Sequence, residues 1–144
     1  MKTIIATTQK HFFDAAQIRG RVFVDEQGVP SSIEIDEEDK TCIHVLLYDE
    51  HDEAKAVLRL LDRGDYFKVG RMAVLKENRG IGYGKQLMLS IETLDIMKDK
   101  KELRLDAQMT AAGFYKALGY SLEEETFVEA DMLHCHAFKQ LQTK

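Results

Sequence analysis

The seven-residue run Arg79–Lys85 has glycine at three alternate positions and could bind a phosphate group through its main chain. It follows an apolar segment of strand character, Val69–Leu75, and precedes apolar residues at helical spacing from Leu87 to Leu94 and Met97. The first amides of a helix lack partners within the helix and carry about half a positive charge, so a helix that starts at glycines suits a pyrophosphate. The spacing therefore predicts a phosphate-binding loop between a strand and a long amphipathic helix.

Counting excludes two familiar phosphate loops. A Walker loop needs four residues between its glycines, whereas Gly80 and Gly84 enclose three. It also needs a hydroxyl residue after its lysine, but Gln86 follows Lys85. A dinucleotide fingerprint that started at Gly80 or Gly82 would need a further glycine where lysine or leucine stands. The loop therefore predicts a different phosphate-containing ligand, and recognition of a nucleotide without a thioester stays open as an alternative.

The loop and a downstream segment together match a known family. Arg79, Gly82 and Gly84 fill an Arg-x-x-Gly-x-Gly pattern after a Val-x-Arg-x-Ala-Val strand, which resembles the acetyl-coenzyme A signature of the GNAT N-acetyltransferase superfamily. The segment Ala111–Tyr120 is similar to the superfamily's Ala-x-x-Phe-Tyr-x-x-x-Gly-Phe/Tyr segment. A glycine-rich helix start could by itself be only a tight turn, and the second segment argues against that alternative.

The amino-terminal half narrows the resemblance to one subfamily. Arg21–Gln27, the acidic stretch Glu34–Asp39 and His44 resemble the corresponding half of the ElaA/YjcF-like GNAT proteins. The resemblance then covers nearly the whole chain. One departure lies near the end, where that group commonly has Gly-Ile-Pro-His and this chain has Ala-Asp-Met-Leu-His, ending at His134. Any role given to that edge is therefore a separate hypothesis.

The resemblance implies an α/β (α+β) fold with a mixed, mostly antiparallel central sheet flanked by helices. It implies that the strands at 69–75 and 102–107 splay apart and that the pantetheine arm of acetyl-coenzyme A enters this gap. The residues expected to bind that co-substrate are Met72, Ala73, Val74, Arg79, Gly80, Ile81, Gly82, Tyr83, Gly84 and Lys85.

Transfer of an acyl group from a thioester to an amine raises two proton problems. The amine must lose a proton, which costs about 4 kcal/mol at pH 7.4 for an amine of pKa about 10.4. The departing thiolate should gain one, and the resemblance makes Tyr115 the candidate general acid. The pattern of the helix alone would leave Tyr115 as an ordinary half-buried aromatic residue.

No single general base stands out from the sequence. Glu26 and His44 lead as candidates for the base or for a substrate contact because they fall in segments that resemble the subfamily. An ordinary surface carboxylate or a structural histidine is the alternative for each candidate. The chemically capable residues are Glu26, Asp36, Glu38, His44 and His134, and the expected substrate contacts are Glu26, Asp36, His44 and His134.

Neither a metal site nor a covalent nucleophile is expected. His134 and His136 would share one face of a strand, but no paired carboxylate or cysteine motif accompanies them. No Gly-x-Ser-x-Gly elbow or Cys-His signature is present in the sequence. Direct transfer in a ternary complex of acetyl-coenzyme A and the amine is therefore expected.

Size and charge restrict the remaining possibilities. The 144 residues suit one domain, residues 1–144, whose core is large enough to be stable without disulfide bonds or a structural metal ion. A net charge of −5 argues against a nucleic-acid partner, and no segment approaches the about eighteen apolar residues of a membrane span. Two isolated cysteines agree with a reducing compartment, so we expect a cytoplasmic protein.

The element order read from the sequence is β-α-loop-β-β-β-α-β-α-β-β. A first helix over 8–27 should stop at Gly28, and Thr110 should cap the helix that carries Tyr115. The terminal hairpin should comprise 120–127 and 132–138, and its strands could pair between subunits in a homodimer. The other predicted strands cover 2–7, 41–48, 55–61, a segment after 65, and 102–107.

The sequence thus predicts an N-acetyltransferase that moves an acetyl group from acetyl-coenzyme A to a primary amine of a small molecule. A noncatalytic acyl-coenzyme A sensor on the same fold is the main alternative. The acidic stretch Glu34–Asp39 could draw a cationic amine toward the site, or it could be a solvated loop.

Overall fold

The computed structural model describes residues 1–141, in which seven strands form one sheet of order β1-β2-β3-β4-β5-β7-β6. All neighbouring pairs are antiparallel except β4 and β5, which are parallel. This mixed, mostly antiparallel sheet confirms the expected fold class. The strands are β1 Lys2–Ile5, β2 Ile43–Tyr48, β3 Ala54–Asp62, β4 Tyr66–Val74, β5 Glu102–Gln108, β6 Ser121–Glu129 and β7 Met132–Gln140.

Helix α1, Gln9–Arg19, begins at a capping box. The His11 amide donates to the Thr8 hydroxyl at 3.1 Å, and the His11 ring accepts from the Thr8 amide at 3.3 Å. The helix continues as a π-helical segment, Gly20–Glu26, and the chain then turns at Gly28, whose φ is +74°. A short helix α2, Ser31–Glu34, and a 3₁₀ turn over 37–40 follow, in the segment that the sequence predicted to be a loop.

The prediction of a long amphipathic helix after the glycine loop was wrong. Helix α3, Tyr83–Ser90, has eight residues and is followed by two 3₁₀ turns, at 91–93 and 95–97. The Ser90 hydroxyl donates to the Leu87 carbonyl at 2.9 Å, and the Thr93 hydroxyl donates to the Ser90 carbonyl at 2.8 Å. Such bonds compete with the helical ladder. Leu94 then takes an extended conformation, with ψ at 143°.

The predicted cap of the next helix was also wrong. Helix α4, Ala112–Ala117, is preceded by a 3₁₀ turn that contains Thr110, and its N-cap position is Ala111, which makes no side-chain cap bond. Because the 3₁₀ turn takes up Thr110, its hydroxyl cannot cap the helix that follows. The chain leaves α4 through Gly119, at φ +95°.

Helices cover both faces of the sheet. On one face α3 buries Leu87 and Met88, and the 3₁₀ turn after it buries Ile91, against Leu58 and Leu103. On the other face α1 and its π-helical extension bury Ile18 and Val22 against Leu46 and Val57. Successive residues of β3, such as Val57 and Leu58, therefore enter different cores, as the two-residue period of a strand requires.

Strands β4 and β5 pair over only half of β4. Their register runs from Tyr66 opposite Glu102 to Val69 opposite Leu105 and stops there. Beyond this point, in the part of the chain that the structure describes, the β5-facing backbone of β4 has no strand partner, which confirms the predicted splay. A bulge follows at once, because β4 places two residues, Arg71 and Met72, between consecutive pairs with β3. The φ of Arg71 at this bulge is +48°.

The terminal hairpin of β6 and β7 also forms as predicted. Of its two strands β7 lies between β5 and β6, and β6 is an edge strand of the sheet. The register of β6 shifts between Leu122 and Thr126, so residues 123–125 bulge outward and are exposed. Within residues 1–141, no helix has the length and apolar character to cross a membrane.

Candidate active site

The glycine loop has the backbone that a main-chain phosphate site needs. Gly80 and Gly82 have φ of +82° and +94°, and a Cβ at either position would meet nothing within 4 Å. Their conformations, and not crowding, therefore favour glycine. Gly82 caps α3 without a side-chain bond, and the first bond of the helix runs from the Gln86 amide to the Gly82 carbonyl at 2.9 Å. The earlier amides of the helix, Tyr83–Lys85, are the groups that suit an anion.

A different constraint acts on Gly84. A Cβ there would lie 2.9 Å from the Met72 Cε atom, 3.5 Å from Val74 and 3.6 Å from Phe114. The start of α3 therefore packs tightly against the end of β4 and against α4. The structure thus brings together the glycine loop and the end of β4, which were expected to bind the co-substrate, and the helix that carries Tyr115, the candidate general acid.

Arg79 hydrogen-bonds to Glu26 and so connects this loop to the end of the π-helical segment. Its Nε donates to the Val74 carbonyl at 2.9 Å, and its two terminal nitrogens donate to the Glu26 carboxylate at 2.5 and 2.7 Å. The hydrogen bonds from Arg79 lower the pKa of Glu26. Glu26 is therefore held as an anion and does not line the cleft described below, a placement that argues against its use as a base.

A cleft of about 1270 Å³ opens where β4 and β5 separate. It is lined from both faces of the sheet. Tyr115 borders it from the α3 side. Asp106 and Gln108 border it from the α1 side, because their neighbours on β5, Leu105 and Ala107, point into the core on the α3 side. The candidate residues from the sequence that line it are Asp36, Glu38, Met72, Tyr115 and His134. Glu26 and His44 do not line it.

Tyr115 presents a neutral phenol to this cleft. Its ring packs edge-on against Phe114 and Tyr120, with ring centroids 5.1 and 5.8 Å away. No residue within 1–141 hydrogen-bonds to its hydroxyl. Burial raises the pKa of Tyr115 to about 12, which keeps the phenol protonated and able to donate.

Six charged side chains form a network beside the cleft, here called the arginine–carboxylate cluster: Arg19, Glu34, Asp36, Asp39, Arg59 and Arg71. The nearly buried Arg19 donates to Glu34 at 2.6 Å and to Asp39 at 2.6 Å. Arg59 donates to Asp36 at 2.7 Å. Arg71, from the bulge of β4, donates to the Glu34 carbonyl at 3.0 Å and so ties the acidic stretch to the sheet.

The acidic stretch is therefore neither a solvated loop nor a free attractor for cations. Hydrogen bonds from Arg59 lower the pKa of Asp36. Burial by itself would raise the pKa of Asp39, but hydrogen bonds from Arg19 and from the Asp36 amide lower it well below its usual range. The sequence could not show this pairing, because the arginines lie in distant segments.

His44 is part of this network and lies away from the cleft. Its Nε2 is 2.8 Å from a terminal nitrogen of Arg19, and burial lowers the pKa of its imidazole. Asp39, Cys42 and His44 hold potential ligand atoms within 4.8 Å of one another. Arg19 contacts both Asp39 and His44, however, and burial raises the pKa of the Cys42 thiol to about 11. In the structure these groups therefore have a guanidinium partner.

His134 lies on the α1 face of β7 and lines the cleft. Its ring stacks on Phe127, and its Nδ1 is 2.8 Å from the Met132 carbonyl. The neighbouring His136 also packs on Phe127 but contacts Asp106 instead, at 2.5 Å. The two histidines share a face, as the strand pattern predicted, and they serve separate hydrogen bonds.

Several residues that line the cleft were not predicted from the sequence as site residues. Arg71 stands inside the Val-x-Arg-x-Ala-Val segment that was used for the resemblance, so its position could have been noticed. The others carry no local signal, because strand pairing and the splay bring them to the cleft. These residues are Arg59, Lys68, Asp106 and Gln108.

Comparisons with known proteins agree with this architecture. The family model for the acetyltransferase (GNAT) domain matches residues 8–140. YjcF of Bacillus subtilis, an uncharacterized N-acetyltransferase, is 35% identical over 140 residues, which cover 96% of this chain and 99% of YjcF. The crystal structure of a provisionally named N-acetyltransferase from Lactobacillus plantarum matches with a TM-score of 0.90 at 28% identity, over 98% of both chains.

Escherichia coli ElaA also matches in structure, with a TM-score of 0.80 at 27% identity, over 96% of this chain and 97% of ElaA. The likeness therefore extends over nearly the full length of the chain and of each relative. It includes the two segments, the glycine loop and the Phe-Tyr helix, on which the resemblance first rested. The chain belongs to the GNAT acetyltransferase family and, within it, to the ElaA/YjcF-like group.

Proposed function

We propose that this protein transfers an acetyl group from acetyl-coenzyme A to a primary amine of a small molecule. The observation that carries the proposal is the gap between β4 and β5, which has the glycine loop and Tyr115 beside it and opens into a cleft that reaches the α1 face of the sheet. The cleft, at about 1270 Å³, exceeds the range typical of small-ligand sites, and it leaves room for a thioester arm and a small acceptor together.

The donor is held by main-chain groups in this proposal. The uncapped first amides of α3 bind the pyrophosphate, because they are partially positive and have no acceptor in the helix. The backbone of Met72–Val74 on the side that faces the gap, where β4 has no pairing with β5, binds the pantetheine arm in the manner of an added strand, although the Val74 carbonyl already accepts from Arg79. The open space above Gly80 and Gly82 fits this assignment.

Transfer is direct, in a ternary complex, because neither cysteine suits a covalent intermediate. A thiolate is the nucleophilic form of cysteine. Burial raises the pKa of Cys42 to about 11, and burial also raises the pKa of Cys135, whose side chain lies in the core. Both side chains are therefore thiols at neutral pH. The amine itself attacks the thioester from the α1 face.

Tyr115 assists the departure of the sulfur. Its pKa of about 12 is several units above the value of about 8.5 for an alkyl thiol, so full proton transfer to the thiolate is uphill. A hydrogen bond from the phenol to the developing thiolate needs no such transfer and stabilises the transition state more than the ground state. Tyr115 thus acts mainly as a donor of that hydrogen bond.

The test compares Tyr115→Phe with Tyr120→Phe. Tyr120 is a fitting control because its ring contacts Tyr115 and its buried hydroxyl has no partner within the described residues. We expect Tyr115→Phe to lower turnover at least tenfold while coenzyme A affinity stays within about twofold, and Tyr120→Phe to keep wild-type turnover. Equal turnover of the two variants would remove Tyr115 from the reaction.

The assay screens a panel of primary amines with acetyl-coenzyme A and detects thiol release together with acetylated product by mass spectrometry. Amine-dependent turnover supports the transferase. Coenzyme A binding by calorimetry without turnover on any amine favours the noncatalytic sensor. Absence of coenzyme A binding by folded protein would overturn both. Competition by nucleotides would favour the remaining alternative, a site that recognises a nucleotide without a thioester.

A further inference from the structure

Most carboxylates around the cleft already have a cation. Glu34 and Asp36 belong to the arginine–carboxylate cluster, and Glu38 pairs with Arg63 at 2.7 Å. Asp106 pairs with Lys68 at 3.0 Å and also contacts a histidine. A cation beside a carboxylate stabilises its anion and weakens its affinity for a proton. These four residues therefore suit charge balance better than proton removal.

His134 differs from them in its hydrogen bonding. A carbonyl oxygen only accepts, so the Nδ1 atom next to the Met132 carbonyl carries the ring proton. The lone pair then lies on Nε2, for which the described residues provide no hydrogen-bond partner. The residue is 7% exposed and yet lines the cleft, so this nitrogen faces the space where an acceptor would sit. Stacking on Phe127 fixes the plane of the ring.

We propose that His134 is the general base that deprotonates the acceptor amine. This inference rests on the acetyl transfer proposed above. In the step, an N–H bond of the alkylammonium breaks and its proton goes to Nε2, and the lone pair that this frees forms the bond with the acyl carbon. The carbon–sulfur bond breaks and its electron pair leaves on the thiolate, which receives the Tyr115 hydrogen bond and takes a proton from solvent, while the acylated nitrogen loses its second proton to solvent.

The surroundings of His134 can accommodate the imidazolium that forms. The residue opposite it on β5 is the uncharged Gln108. Glu129 and Asp131, at the turn between β6 and β7, line the same cleft, and neither has an ion-pair partner within the described residues. The other charged and titratable groups that line or adjoin this region are Glu34, Asp36, Glu38, Arg59, Lys68, Arg71, Asp106, Tyr115 and His136.

The test compares His134→Gln with His136→Gln, which changes the neighbouring histidine on the same face. Glutamine keeps polar atoms at the site but cannot take the proton. We expect His134→Gln to lower kcat for alkylamines about 100-fold, to abolish the acidic limb of its pH profile and to leave coenzyme A affinity unchanged. His136→Gln should retain the limb and most of the activity.

A series of amines of graded pKa separates a base from a residue that only shapes the cleft. The loss in His134→Gln should be large for strongly basic alkylamines and small for weakly basic amines, which are already unprotonated at neutral pH. An equal loss across the series, or an unchanged pH profile, would overturn the proposal. If His134→Gln does not fold, addition of imidazole to folded His134→Ala should restore turnover. A failure to restore turnover would contradict the role of His134 as general base.

The outcomes distinguish this inference from the proposed function. Wild-type protein that acetylates no amine contradicts the transferase itself. Wild-type protein that acetylates amines, with His134→Gln equal to it in kcat and pH profile, contradicts only the role of His134.

Discussion

On the α3 and α4 face of the sheet the candidate site consists of main-chain amides and one neutral phenol, whereas on the α1 face it consists of paired charges and a histidine. Main-chain groups are fixed once a helix starts at Gly82. Side chains must instead be oriented by partners, as Arg71 orients the acidic stretch from the bulge of β4. The first face should therefore respond to changes of backbone conformation, and the second to changes of charge.

The largest expected effect is on the charged face. Arg19→Met should lower the free energy of unfolding by about 3 kcal/mol, because it leaves Glu34 and Asp39 without their buried partner. Urea unfolding measures it. Arg63→Met, which breaks the half-exposed pair with Glu38, should cost less than about 1 kcal/mol. Equal losses would mean that burial of the cluster contributes nothing to stability, and the contrast between the faces would fail.

A change of backbone conformation in the glycine loop, on the α3 and α4 face, should have an effect of intermediate size on coenzyme A affinity. Gly82→Ala places a side chain at φ +94°, which costs about 1–2 kcal/mol and shifts the amides that open α3. We expect coenzyme A affinity, measured by calorimetry, to fall about tenfold. Gly64→Ala is the matched control, since Gly64 has φ +86° in the turn before β4 and a similarly open surrounding. A similar loss of affinity in the control would indicate general strain only.

The smallest effect concerns the side chain that joins the loop to the first helical segment. Glu26→Gln weakens the exposed pair with Arg79, so coenzyme A affinity should fall roughly threefold or less. The dependence of kcat on pH should stay as in the wild type, because Glu26 does not line the cleft. A change in that pH profile would restore Glu26 as a candidate base.

The difference between the faces also explains what the sequence could reveal. The glycine loop and the Phe-Tyr helix are contiguous segments that carry the resemblance to the GNAT family, and that resemblance implied the fold and the splay of β4 from β5 and made Tyr115 the candidate acid. The length of α3 was not predictable, because helical periodicity continues through Leu94 while the Ser90 and Thr93 hydroxyls end the helix.

The charged face could not be predicted in the same way. Asp36 and Asp39 looked available for an amine because their arginine partners are 20 or more residues away in the chain. Likewise, the spacing of His134 and His136 indicated a shared face but not which hydrogen bond each would make. Such pairings depend on strand register, which local sequence does not specify.

The outward bulge of β6 bears on self-association. Residues 123–125 are three consecutive glutamates, and they stand on the open edge of the sheet. Two copies that joined this edge in antiparallel fashion would bring two such acidic triplets together, and like charges across a strand pair oppose association. Like charges therefore oppose an antiparallel pairing of two copies that aligns these triplets.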